Sequence, residues 1–394
     1  MPIKKAGKRP LTRAHSPMDS VPSGLSTHTS PFPDGFDEEH CRKAVHRIGE
    51  GIFHSYRSIQ FPEKNKELIA GLGSQSLYYA SLHKSHFDYI ALCYTLFTEG
   101  LPYPRSVSGR NLVKGPIAAI MQKRTKINML KWGAIPLERG GSVSRNLAAL
   151  CRHLEGILKS GRPVMSFPEI GTVEHHGKNF VKTGRSYTGQ ARPFAPGLFG
   201  PAIQAARTGK NVYVIPISVA YDFIAEDRYF QSLDRSEGLK NLERFIPRLL
   251  GRMYYLLIEF SFFSKVYNLG QGNIYIDFGR PIRVDPTVSK KELSQRAFEE
   301  AVQSYRVTMP ALISYFIHQG ITNQSDLTSA VEIGAAKLSA SKINFQMLSD
   351  VKNAVSQAIT DMTKRGLIAG STDLMVLKPE IIRYYANTIS HHID

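Results

Sequence analysis

Residues 81–89, Ser-Leu-His-Lys-Ser-His-Phe-Asp-Tyr, place His83 five positions before Asp88, after an apolar run and at the start of a helical pattern. A neutral imidazole there can take a proton from a substrate hydroxyl. A carboxylate on the following helical turn can hold the ring tautomer and stabilise the imidazolium that forms. The start of a helix also offers backbone N–H groups to a developing oxyanion or a phosphate. Of the 13 histidines, only His83 has an acidic residue at this spacing. The spacing by itself equally fits a loop histidine beside a helix-capping aspartate, so both readings stay open on this segment alone.

Four further stretches carry residues suited to such a site. Residues 132–140 (WGAIPLERG) end on Arg139, a cation suited to phosphate. Residues 166–171 (SFPEIG) put Glu169 and Gly171 at the carboxyl end of a buried run, where α/β folds build their sites. Residues 183–189 (TGRSYTG) offer Arg185 and the Ser186 hydroxyl between two glycines, a loop able to approach an anion closely. In residues 214–219 (VIPISV), Pro216 removes a ladder donor from a central-looking strand, so the sheet must bend or open there. Each feature is common singly, and their joint order is much less so. Glu174 with His175 and His176 hints at metal binding, but neighbouring residues rarely point at one ion, so no metal is expected. There is no G-x-S-x-G elbow, no phosphate-binding G-x-x-x-x-G-K-[ST] loop and no G-x-G-x-x-G after a strand.

The elements that must position these residues alternate. Strands are predicted over 76–82, 163–167, 211–220 and 273–278, and helices over 87–97, 146–158 and 200–206. Residues 36–70 look helical. Short buried strands alternating with helices argue for an α/β fold with a three-layer core over residues 36–285. From 286 to 394 amphipathic patterns such as 290–305 and 346–364 predict a helical C-terminal domain without clear strands. Residues 1–35, rich in Pro, Ser, Gly and Thr, read as a flexible tail with no secretory signal.

Charge narrows the partners. The 394 residues carry a net charge of +17, and residues 101–210 hold 18 basic against four acidic side chains, a net of +14. Such a surface points to a polyanion: nucleic acid, an anionic membrane or a phosphorylated substrate. The C-terminal region is nearly neutral, although residues 364–377 look like a winged-helix turn, and this argues against a nucleic-acid footprint. Three scattered cysteines fit a reducing compartment. No run of about 18 apolar residues exists, so attachment to a membrane is expected to be peripheral, through basic residues and amphipathic stretches such as 248–263.

Taken in order, these segments resemble the four blocks of the glycerophospholipid acyltransferase superfamily, and most of all the bacterial glycerol-3-phosphate 1-O-acyltransferases. His83-Lys84-Ser85-His86-Phe87-Asp88-Tyr89 matches the first block, H-[RK]-S-H-x-D-Y, throughout. Residues 133–139 match the second, the glutamate strand with G-R-S-x-T-G the third, and Ile215-Pro216-Ile217 the last. Two departures stand out. Glu169 is separated from Gly184-Arg185-Ser186 by an inserted stretch, and Tyr187 replaces the usual second arginine. The Phe167-Pro168-Glu169 start and residues 193–203 look instead like the lysophosphatidate acyltransferase branch.

The resemblance implies a mixed sheet flanked by helices and direct transfer of a fatty-acyl group from acyl-CoA or acyl carrier protein to the sn-1 hydroxyl of glycerol-3-phosphate. His83 and Asp88 would be catalytic, Ser85, Arg139, Glu169, Gly171, Arg185 and Ser186 would bind substrate, and Pro216 would shape the site. No cofactor is implied beyond the thioester co-substrate, and the place of work would be the cytoplasmic face of a membrane. A lysophosphatidate acyltransferase is the alternative within this chemistry. A basic nucleic-acid-binding protein and an inactive membrane-surface adaptor are the alternatives outside it.

Overall fold

The computed structural model describes residues 37–85, 87–109, 119, 122–123, 128–137, 143–175, 178–183, 186, 188–225, 227, 272–340, 344 and 350–393. Helix α1 (Glu38–Ser55) starts on Asp37, whose carboxylate accepts the His40 N–H at 2.9 Å. Its Cys41, Ala44, Val45, Ile48 and Ile52 recur at helical spacing and are buried. Then come β1 (Ser58–Gln60), α2 (Glu63–Ala70), β2 (Ser76–Ser81), α3 (Phe87–Thr98), β3 (Arg105–Gly109) and β4 (Ala134–Leu137). They are followed by α4 (Val143–Lys159), β5 (Val164–Ser166), the hairpin β6 (Ile170–His175) and β7 (Lys178–Thr183), α5 (Gly200–Arg207) and β8 (Val212–Tyr221). Strands β9 (Asn273–Phe278) and β10 (Ile282–Arg283) complete the sheet.

The main sheet runs β1-β9-β8-β2-β5-β3-β4, with β10 also on β8. Strands β8, β2, β5, β3 and β4 are mutually parallel, whereas β9 and β10 pair with β8 antiparallel. The sheet is therefore mixed, as expected. All six residues of β2 are buried and β8 is almost wholly so, the pattern of strands covered on both faces. Pro216 sits where β8 changes partner. Its outer edge pairs with β10 at Tyr213 and Val214 and with β9 from Ile217 on. Gly279, in the turn between β9 and β10, donates to the Pro216 carbonyl at 2.9 Å. A residue's N–H and C=O share one side of a strand, so the missing donor falls at that turn. The strand runs unbroken from Val212 to Tyr221, and its outer ladder is interrupted at Pro216, where the proline has no N–H to give.

The C-terminal region is helical: α6 (Lys290–Gln303), α7 (Met309–His318), α8 (Gln324–Ala340), α9 (Val351–Lys364), α10 (Pro379–Asn387) and α11 (Ser390–Ile393). A two-residue hairpin, β11 (Ile368–Ala369) with β12 (Met375–Val376), interrupts it and corrects the expectation of no strands there. Strands of two residues leave no period to read in a sequence. Helix α6 lies on β8, and Arg306 grips Asp277 of β9 through two bonds of 2.9 and 2.8 Å. Arg365 and Asp227 form a buried ion pair at 2.7 Å, to which Tyr385 donates at 2.9 Å. The described residues, sheet and C-terminal helices together, fall in one compact unit.

Candidate active site

The carboxyl ends of β2, β5 and β8 lie side by side, and their following residues converge. His83 leaves the end of β2, and Asp88 lies in the first turn of α3. The His83 Nδ1 lies 2.8 Å from Asp88 Oδ2. That oxygen also accepts the N–H groups of Lys84 at 2.6 Å and Ser85 at 3.0 Å. An acceptor so used sets the Nδ1–H tautomer and leaves Nε2 with its lone pair. The other oxygen, Oδ1, accepts Tyr221 Oη at 2.5 Å from the end of β8. Asp88 is fully buried, while the His83 side chain is 15% exposed, so the ring is the part a substrate can reach. The Phe167 ring, at 4.7 Å between centroids, backs the imidazole.

Among the described residues, the N–H groups of Lys84, Ser85, Phe87 and Asp88 at the start of α3 are all engaged. Lys84 and Ser85 donate to Asp88, Phe87 donates to Ser85 Oγ at 3.0 Å, and Asp88 donates to the Ser85 carbonyl at 3.2 Å. Ser85 is fully buried, with its hydroxyl oxygen capping the start of α3. Ser186 is fully buried too, with its N–H on the His83 carbonyl at 3.4 Å and its hydroxyl 3.3 Å from that of Thr188.

Glu169 follows β5 at 0% exposure. Its carboxylate accepts the His83 backbone N–H and, at 2.9 Å, that of Arg192. Burial pushes its pKa up, and Lys84 together with the two N–H donors opposes this. Lys84, 1% exposed, has its Nζ 3.9 Å from Glu169 Oε1 and donates to the Gly189 carbonyl at 3.1 Å. Burial lowers the lysine's pKa, with the charges of Glu169 and Asp88 acting against that. Ser85, Glu169 and Ser186 are sealed from solvent, and Glu169 and Ser186 bond the two sides of the His83 backbone.

The inserted stretch after Glu169 folds as the hairpin β6–β7, not as a loop. Ile170 pairs with Thr183 and Gly171 with Lys182, so the two parts of the third block meet at the base of the hairpin. Arg139, Arg185 and His86 lie outside the described residues, as do His176 and the proposed membrane-facing stretch 248–263. Among the described residues no helix is long and apolar enough to cross a membrane, and no group of three His, Cys, Asp or Glu could hold a metal ion.

Sequence reasoning missed Tyr221, Phe167 and the role of Lys84. Phe167 and Lys84 each adjoin a residue already singled out. Tyr221 had only its place at the end of a buried strand to mark it.

Comparison with known proteins agrees with this geometry. The acyltransferase family model matches residues 60–220, the stretch that holds β2, α3, β5 and β8. The glycerol-3-phosphate acyltransferase of Pseudoalteromonas atlantica is 27% identical over 252 residues, covering 62% of this chain and 27% of that protein. Those of Haemophilus influenzae and Alteromonas mediterranea are 25% and 28% identical, over 76% and 61% of this chain and 33% and 25% of theirs. The chain thus spans about a quarter to a third of the length of these relatives. The acyltransferase family model thus matches the part of the chain, residues 60–220, that holds the His83–Asp88 pair.

Proposed function

We propose that this chain transfers a fatty-acyl group from acyl-CoA or acyl carrier protein to the sn-1 hydroxyl of glycerol-3-phosphate. The observation that carries the reading is the His83–Asp88 pair: an imidazole whose Nδ1 is fixed by a buried carboxylate and whose opposite nitrogen is reachable. The acceptor hydroxyl gives its proton to His83 Nε2 as its oxygen attacks the thioester carbonyl. The tetrahedral adduct then expels the thiolate, which takes the proton back from the imidazolium. Asp88 orients the ring and supports its transient charge, help worth roughly 10²–10⁴ in rate. No acyl-enzyme is needed. Arg139 and Arg185 would hold the acceptor's phosphate, and a peripheral position on an anionic membrane would place the product where it is used.

Two branches share this chemistry. The Phe167-Pro168-Glu169 start and residues 193–203 favour lysophosphatidate as a second acceptor. Purified protein offered glycerol-3-phosphate and lysophosphatidate with one acyl thioester separates them by the lipid product. Lysophosphatidate is the product expected from the first, and phosphatidate from the second alone would replace the reading. His83→Ala should abolish acylation while the thermal transition persists. Acylation retained by that variant would remove His83 as the base.

A further inference from the structure

Glu169 and Lys84 have an arrangement that a substrate-binding pair would not have. Both are sealed from solvent, at 0% and 1% exposure. Both oxygens of Glu169 are engaged, one by the His83 N–H and the other by the Arg192 N–H, with Lys84 3.9 Å from the second. Lys84 in turn donates to the Gly189 carbonyl and lies 5.9 Å from the centroid of the Tyr305 ring. Gly189 has a φ of +88°, and a Cβ there would stand 2.0 Å from the Tyr384 carbonyl oxygen. Its turn is thus seated directly on α10. Asn387, at the end of that helix, donates to the Thr188 carbonyl at 2.8 Å.

A chain of contacts therefore runs from α10, through the Thr188–Gly189 turn, to Lys84, then Glu169, and ends on the backbone of His83. The two charges balance each other where neither could stand alone. Desolvation opposes the ionised form of each, and the partner's charge works against that. We propose that the Lys84–Glu169 pair, seated on α10 through Gly189, is a positioning device for His83, so that the C-terminal helices form part of the acyl-transfer site. Glu169 on this reading is not a ligand of the acceptor. The inference rests on the function proposed above for its kinetic arm, and its spectroscopic arm stands apart from it.

The test uses the full chain as wild type, Glu169→Gln, Lys84→Met, the double variant and Asn387→Ala. Glu169→Gln should lower kcat roughly 10²-fold, the cost of about 1 Å of misplacement. Its KM for glycerol-3-phosphate should stay within about twofold. The double variant, with no lone buried charge, should be at least about tenfold more active than the two single effects combined predict. Asn387→Ala, at a partly exposed side chain, keeps the fold and should lower kcat about fivefold, the worth of one hydrogen bond. A tenfold or greater rise in KM at near-full kcat for Glu169→Gln would make the residue an acceptor ligand and overturn the proposal, as would simple additivity of the two single variants.

Heteronuclear NMR of labelled histidine, recorded without substrate, reads the same device directly. The His83 ring signals should shift in Glu169→Gln and in Asn387→Ala. Unmoved signals in Asn387→Ala overturn the link to α10 even where the buried variants fail to fold. A wild type that acylates neither acceptor removes the proposed function, and the ring signals still decide the positioning.

Discussion

Asp88→Asn isolates the electrostatic part of the proposed chemistry, because the structure says which way the new amide must face. Asp88 Oδ2 accepts the N–H groups of Lys84 and Ser85 and faces His83 Nδ1. An NH₂ at that point would meet two backbone donors, so the amide oxygen takes it. The NH₂ then falls on the Tyr221 side, where the phenol oxygen accepts instead of donating. Geometry and tautomer survive and only the charge is removed. With Nδ1 and Oδ2 2.8 Å apart, the charge centres of imidazolium and carboxylate stand about 4 Å apart, worth roughly 4 kcal/mol at an effective dielectric of about 20. At about 1.4 kcal/mol per decade this is a fall of roughly 10³ in kcat.

The assay is acyl transfer at saturating thioester and acceptor, with the thermal transition measured on the same samples. Asp88→Ala serves as the contrast. It strands the Lys84 and Ser85 N–H groups and the Tyr221 hydroxyl, at about 1–3 kcal/mol for each buried donor, and should unfold the site as well as silence it. Asp88→Asn should lose rate and keep its transition within about 1 kcal/mol. A variant that keeps more than about a tenth of the wild-type kcat refutes the assignment of Asp88 as the group that supports imidazolium charge.

Three further outcomes follow from buried groups. Ser85→Ala removes the cap of α3 and should cost about 1 kcal/mol in urea unfolding with the acceptor KM unchanged; a raised KM would return Ser85 to the acceptor. Asp227→Asn leaves Arg365, 3% exposed, without its counter-charge and should cost about 3–5 kcal/mol; a loss under about 1 kcal/mol would show that the pair is solvated. Burial raises the Asp222 carboxyl from 3.8 to about 6, although Asn273 and Tyr275 donate to it. A raised carboxyl constant means that the folded chain binds the proton first as pH falls from about 6 towards 3.8. Asp222 therefore adds stability on acidification across that window. Wild type should gain about 2 kcal/mol on Asp222→Asn between pH 7 and 4, and a difference that does not move with pH would refute the shift.

Much of the fold was legible because burial on both faces leaves a strong signature. The run Ser76–Ser81 and the β-branched run of β8 read as strands from composition alone, and α3 matches its expected helix to within a residue. What escaped was short or built from pairing. The hairpin β6–β7 mixes charged, polar and apolar residues with no strict alternation, and its register, Ile170 to Thr183, is visible only once the strands meet. Strands β1, β3 and β10 have two to five residues and borrow their conformation from neighbours.

In the site, the sequence exposed residue types and withheld accessibility. Ser85, Glu169 and Ser186 have side chains that often bind phosphate or hydroxyl groups, and adjacency to His83 made them natural ligands. All three are buried, and burial depends on what packs above. The Gly189 turn is closed by a carbonyl of Tyr384, almost 200 residues away, and the Asp88 carboxylate is completed by Tyr221, 133 positions on. A carboxylate with both oxygens committed to the backbone cannot also turn to a substrate without stranding a donor. Lys84 answers Glu169 inside, so the net +14 of residues 101–210, which counts Glu169 but not Lys84, is carried by the other side chains of that stretch.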